Sequence, residues 1–292
     1  MRRPDAAVLI VFALVTLIGG TNFVAVRFSN RELAPFWGAG LRFAIAGSLL
    51  LGYARWQRVP LPSGAVLPGV IAFGLLNFGL TYALAYWGLQ HAPAAVAATC
   101  IALAPLLTLL LSVTFGMERF RWGGLLGGLV SLVGVAIVFA DQLQLNVPFD
   151  SLVALLLQAF GVAGATVLLK RLPRTHPIAT NAVAMIPGAA LLLLLSLAAG
   201  ETFALPSRPE VVTALVYLVT IGAIGLFIGF VFVLQRWTAS ASSYVFVLFP
   251  LVTVAVGALL AGETVSAQFV IGALVVMAGT YVGAIAQPPA AS

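Results

Sequence analysis

The chain has 292 residues, of which 62% are hydrophobic and 8% charged, and its mean hydropathy is +1.14. Soluble domains carry about 25% charged residues, and no globule of this length hides so much apolar surface behind a polar exterior. Composition therefore excludes a water-soluble protein. The basic excess, 14 Lys and Arg against 8 Asp and Glu, is scattered through short loops without interleaved aromatics, which excludes a nucleic-acid surface.

Lipid satisfies no backbone polar group, so only helices or a closed barrel span it. Barrel strands alternate apolar and polar residues over about 10 positions. Here the apolar runs continue for roughly 20, the length of a helix crossing about 30 Å. In chain order, hydropathy and Pro/Gly breaks predict ten spans: Ala6–Val26, Pro35–Ala54, Ala65–Leu89, Pro93–Phe115, Trp122–Ala140, Ser151–Lys170, Pro177–Ala199, Val211–Leu234, Ala239–Ala261 and Val265–Ala286. The run after Met1-Arg2-Arg3 is too long for a signal-peptide core and reads as the first span. Cys100 lies inside an apolar run and has no second cysteine to pair with.

Loop charge sets the orientation. With a cytoplasmic N-terminus, ten basic residues fall inside: Arg2, Arg3, Arg55, Arg58, Arg119, Arg121, Lys170, Arg171, Arg174 and Arg236. Outside lie Arg31 and Arg208, with Arg27 near that end of the first span. This bias predicts a multi-pass protein of the cell (inner) membrane with both termini cytoplasmic.

The chain also matches itself at an offset of 145 residues. Leu89-Gln90 falls on Leu234-Gln235, Pro105-Leu106 on Pro250-Leu251, and Thr108 on Thr253. Glu118 falls on Glu263, Gly127 on Gly272 and Gly134 on Gly279. Two halves of five spans follow, and an odd number sets the second half upside down. The expected fold is an all-α integral membrane protein with ten helices in two inverted repeats, the plan of many secondary transporters.

Gly19-Gly20-Thr21-Asn22-Phe23-Val24-Ala25-Val26-Arg27, the stretch Leu41-Arg42-Phe43-Ala44-Ile45-Ala46-Gly47, and Gly262-Glu263-Thr264 followed by Gly272 and Gly279 resemble EamA-type members of the drug/metabolite transporter superfamily. The first half repeats the last signature as Met117-Glu118-Arg119, with Met117 where Gly is usual. The resemblance implies two EamA repeats, residues 1–142 and 143–292, and export of small metabolites by alternating access around a central cavity between them. It points to amino-acid exporters of the YddG type. A multidrug or nucleotide-sugar-like carrier is the alternative, ahead of a channel or a membrane enzyme.

Arg42 sits seven residues inside its span, where a charge is costly. It either anchors a substrate carboxylate, or satisfies helix-end carbonyls or snorkels outward. Further candidates for the substrate pocket are Thr21, Asn22, Asn77, Thr81, Tyr82, Tyr86, Trp87, Thr99, Gln158, Ser243 and Tyr244, which offer rings and polar groups to an amphipathic molecule. The alternative for the serines is helix packing, and for Tyr86 and Trp87 the interfacial aromatic belt. Pro105 and Pro250, at equivalent places, are expected to kink their helices as hinges or fixed bends.

Every acid lies in a loop or at a span end, so gradient-driven movement or exchange is expected, without a proton relay. Glu118 and Glu263 are expected to cap the helices that follow them. His91 and His176 lie apart with no other ligand nearby, and no Ser/His/Asp set exists. No metal, cofactor or catalytic residue is expected, and the protein reads as a non-enzyme. The partners expected are a small-molecule substrate and the lipid bilayer, in a monomer or weak homo-oligomer.

Overall fold

The structure, a computed structural model, describes residues 5–92, 94–139, 147–261 and 267–285. Among these it is all-helical. Helix α1 (Ala6–Ser29) starts where Asp5 accepts the Val8 amide at 2.8 Å, a side-chain N-cap. Pro35 opens α2 (Pro35–Trp56) at a position that needs no amide donor. A short turn of 3₁₀-helix (Gly64–Val66) leads into α3 (Leu67–Gly74), a π-helical stretch (Leu75–Thr81) and α4 (Tyr82–Gly88). Then come α5 (Ala94–Ile101), α6 (Ala104–Thr114) and α7 (Trp122–Phe139).

In the second half, α8 (Phe149–Arg171), α9 (Pro177–Ala198) and α10 (Pro209–Val219) precede a second π-helical stretch, Thr220–Gly225. Then follow α11 (Leu226–Arg236), α12 (Ala239–Ser242), α13 (Val245–Ala261) and α14 (Ala267–Thr280), which ends in a π-helical turn over Tyr281–Ile285. The first two π-stretches begin at Leu75 and Thr220, 145 residues apart. Seven helical units among the described residues are long and apolar enough to cross a bilayer: Ala6–Ser29, Pro35–Trp56, Gly64–Gly88, Phe149–Arg171, Pro177–Ala198, Pro209–Arg236 and Ala239–Leu259. Shorter apolar helices cover Ala104–Thr114, Trp122–Ile137 and Leu274–Gly283. Leu194 and Leu259 stand 63% and 84% exposed, an apolar exterior that lipid, not water, tolerates.

Two tight antiparallel pairs join the halves. On α2, a β-carbon at Gly40 would stand 2.9 Å from Leu193, and one at Gly47 3.0 Å from Met185 on α9. Between α7 and α14 the backbones touch: a β-carbon at Gly127 would stand 2.4 Å from the Gly283 Cα, and one at Gly134 2.6 Å from the Val276 amide nitrogen. Small residues permit such approach, and dispersion then replaces the hydrophobic drive absent in lipid.

Acids fasten the helix ends across the halves. Gly116 and Gly200 take φ of +67° and +66° just past α6 and α9, the left-handed turn that glycine adopts without strain. The turn at Gly200 aims Glu201 at α2, where its carboxylate accepts the Phe36 and Trp37 amides at 3.1 and 2.8 Å. Glu32 accepts the Ser207 and Arg208 amides ahead of α10. Among the described residues, Glu118 bonds to no amide of the helix that follows it. Its carboxylate accepts the Ser240 amide at 3.1 Å and the Ser240 hydroxyl, at the start of α12, and lies 3.7 Å from Arg121. The corner at Gly116 turns it towards the other half. Glu263 lies outside the described residues.

The two prolines differ. Pro105 stands in the first turn of α6, after a break at Ala102–Leu103. Pro250 stands inside α13, and the break in that stretch comes earlier, at Ser243–Tyr244.

Candidate functional site

A cavity lies where α1, α2, the π-stretch and α4, α8, α11 and α13 converge. The centre of a water molecule has about 60 Å³ in which to move there, room for a few waters. An amino acid enters only if side chains move.

The walls differ in chemistry. Asn22, Arg42, Asn77, Thr81, Tyr82 and Tyr86 supply most of the polar lining, with Gln158 and Thr166 from α8. The apolar lining includes Leu226, Phe227, Phe230, Phe246 and Phe249. Where the first half carries Asn77, Thr81 and Tyr82, the positions 145 residues on are Gly222, Leu226 and Phe227. Arg42 corresponds in the same way to Pro187. At these four positions the polar or charged side chain comes from the first half.

Arg42 does not snorkel: it is 0% exposed. Its Nη2 donates to the Gly222 carbonyl at 2.7 Å and its Nη1 to the Tyr86 hydroxyl at 3.4 Å. The guanidinium carbon lies 4.9 Å from the Phe43 ring centre and 5.3 Å from that of Tyr82, within cation–π range. Among the described residues no carboxylate pairs with it, and Nε has no hydrogen-bond partner.

Gly222 is free to serve because of the π-stretch. In an α-helix the Leu226 amide would bond to Gly222, four residues back. Here it donates to Ile221 and Ala223. Asn22 Nδ2 also donates to the Gly222 oxygen, at 2.9 Å, and this fixes the amide so that its buried Oδ1 is left without a partner among the described residues.

In the other π-stretch the Thr81 hydroxyl donates to the Leu76 carbonyl at 2.8 Å. Gly161 lets α8 approach: a β-carbon there would lie 2.5 Å from the Thr81 Oγ1. Gln158 is 4% exposed and its Oε1 is unpartnered among the described residues. A buried amide oxygen without a donor is costly; the two of them and the Arg42 guanidinium line one cavity with open valences.

The sequence profile of the EamA-like transporter family matches residues 6–140 and 151–284. The chain belongs to that family. An Archaeoglobus fulgidus protein named "uncharacterized transporter" is 26% identical over 94% of this chain and 97% of its own length. The "uncharacterized inner membrane transporter YedA" of Escherichia coli K12 is 29% identical, covering 88% and 83%. A Salmonella typhimurium protein named "probable amino-acid metabolite efflux pump" is 24% identical, covering 97% and 95%. One crystal structure shares the fold, with a TM-score of 0.78 at 21% identity over 96% of this chain and 97% of that one.

The cavity of this EamA transporter unites seven of the residues singled out in the sequence: Asn22, Arg42, Asn77, Thr81, Tyr82, Tyr86 and Gln158. Others lie elsewhere. The Thr21 hydroxyl turns back to the Leu17 carbonyl at 2.9 Å. Trp87 is half-buried beyond the cavity lining. The Ser243 hydroxyl donates to the Ser240 carbonyl at 2.7 Å, and the Tyr244 hydroxyl to the Gly124 carbonyl at 2.9 Å. Thr99 is on α5, with its side chain outside the described residues.

Sequence reasoning passed over Phe227, Phe230, Phe246, Phe249 and Gly222. Paired phenylalanines three apart look like any lipid-facing or packing stripe, and a backbone acceptor has no side chain to announce it. The available signal was the offset that lays Gly222 on Asn77.

Proposed function

We propose that this EamA protein exports small amphipathic metabolites, amino acids foremost, by alternating access. Ten membrane helices form two inverted halves, residues 1–142 and 143–292, with both termini in the cytoplasm of an inner-membrane protein. The crosswise contacts support the inversion. Gly40 meets Leu192 and Leu193 while Gly47 meets Met185, and 185 and 192 are 40 and 47 advanced by 145. Such reciprocity is the mark of a two-fold relation. The π-stretches at the same offset support it too.

The observation that carries the substrate reading is Arg42: a fully buried cation, unpaired by any described carboxylate, in a cavity where the halves meet. A carboxylate suits the guanidinium, an ammonium suits the amide oxygens of Asn22 and Gln158, and an apolar side chain suits the phenylalanine wall. Asn77, Thr81, Tyr82 and Tyr86 complete the site. Thr21, Trp87, Thr99, Ser243 and Tyr244 join only in another conformation, with movement at Pro105 and Pro250. The name of the Salmonella relative supports amino-acid efflux.

The described lining holds no carboxylate, which favours gradient-driven export or exchange, by a monomer or weak homo-oligomer without cofactor. A counterflow screen of amino acids and nucleotides in proteoliposomes tests the reading. Saturable exchange of at least one amino acid is expected, and exchange of nucleotides alone would move the protein to the nucleotide-sugar-like carriers.

A further inference from the structure

The Gly222 oxygen takes two donors at once, Arg42 Nη2 at 2.7 Å and Asn22 Nδ2 at 2.9 Å. Arg42 belongs to α2 and Asn22 to α1, whereas Gly222 belongs to the π-stretch between α10 and α11. This one oxygen therefore ties the first half to the second beside the cavity. The partners of the guanidinium are all neutral: a carbonyl, a phenol and two ring faces. Its Nε has none.

We infer that the Gly222 carbonyl is a stand-in for a substrate carboxylate on Arg42, so that a carboxylate is the group required of the cargo and its arrival frees the π-stretch from α2. The inference rests on the cavity being the transport site. A carboxylate offers two oxygens to the guanidinium fork, including Nε, and brings an opposite charge, where the Gly222 carbonyl makes a single bond and is neutral. It therefore displaces a single carbonyl. The displaced carbonyl is not orphaned, because Asn22 Nδ2 still donates to it; a buried acceptor losing its only donor would cost about 1–3 kcal/mol. The second donor makes the exchange reversible. A cargo without a carboxylate leaves the Arg42 bond in place, so selection and the freeing of the π-stretch from α2 are one event. This is differential binding to two states, which any ligand-driven conformational change requires.

The test uses the purified full-length protein with three probes: 3-phenylpropionate, phenethylamine and L-phenylalanine. Binding is read by thermal shift, and amide hydrogen exchange is followed over peptides covering residues 216–230. The two carboxylates are expected to bind and to speed exchange severalfold at Thr220–Phe227, while phenethylamine does neither. Arg42→Lys keeps the charge but loses the fork, and is expected to weaken 3-phenylpropionate at least roughly tenfold. Because the exchange comparison is made on the unaltered chain, it does not depend on the variant folding. Binding of phenethylamine alone, binding of carboxylates without faster exchange, or no binding of any probe would overturn the inference. Counterflow of labelled phenethylamine separates the two claims: if it exchanges, transport through the cavity stands and the carboxylate requirement falls.

Discussion

Ser131 and Val276 are 145 residues apart, and the Ser131 hydroxyl faces the Val276 carbonyl at 3.5 Å. Each residue thus meets its own counterpart at the offset by which the chain matches itself. On either side the contacts cross: Gly127 lies against Gly279 and Gly283, and Gly134 against Gly272 and Val276. The crossing order of these contacts sets α7 and α14 antiparallel.

That seam leaves no space for a side chain. Gly127→Leu or Gly279→Leu forces the helices apart, and overpacking of this kind costs about 1–3 kcal/mol or more. Thermal unfolding of the purified variants is expected to show a clear drop. The double variant is expected to lose less than the two single losses combined, since one separation serves both. Gly52→Ala on α2 is the control: a β-carbon there meets nothing within 4 Å, so its midpoint is expected to hold or rise by the helix preference of alanine, at most about 1 kcal/mol.

A β-carbon at Gly222 would stand 2.4 Å from Asn22 Oδ1. Gly222→Ala is therefore expected to push Asn22 off the carbonyl it bonds, with a stability loss of about 1–3 kcal/mol and weaker binding of 3-phenylpropionate. Thermal unfolding and ligand titration of the variant check both; unchanged binding would separate Asn22 from the site.

Outside the membrane, Glu32 is held below its ordinary value of 4.5, first by the Ser207 hydroxyl and then by the Arg208 amide, against a smaller opposing effect of burial. A carboxylate lowered in the folded state contributes stability above its unfolded value, and loses it as pH falls through the folded one. Wild type is expected to be more stable than Glu32→Gln at neutral pH, and the difference to shrink below about pH 4.5. The group is exposed, so the effect is small. Paired unfolding curves from pH 3 to pH 7 measure it.

Transport itself is expected to ignore pH across the neutral range. The described cavity lining holds an arginine, amides, hydroxyls and phenols, but no carboxylate or histidine. Counterflow rates for a zwitterionic amino acid are expected to stay flat between about pH 5.5 and pH 8, where its own charge is constant. A sharp step there would reveal a titrating group in the route.

Much of this was legible in the sequence, for physical reasons. Unbroken apolar runs predict helices because lipid leaves the backbone no other partner, and the structure has helices over those runs. Arg42 and Asn22 stood out because polar groups are rare there, and both line the cavity. What stayed hidden depends on backbone geometry. Nothing local in Thr220–Gly225 signals a π-stretch, so the carbonyl that organises Arg42 was invisible. Glu118 was assigned to its own helix because sequence proximity was the only guide, whereas the turn at Gly116 carries it to Ser240. Tyr244 looked like a pocket residue by composition, but its hydroxyl is held by Gly124.

The most direct test of alternating access uses Gln158, which lines the cavity from α8. Gln158→Cys is placed in a Cys100→Ala background, reconstituted in one orientation and exposed to a membrane-impermeant thiol reagent from either face, with and without L-phenylalanine. The account predicts labelling from one face only in each condition, with the substrate shifting which face reacts. Equal labelling from both faces at once would mean an open pore and contradict it.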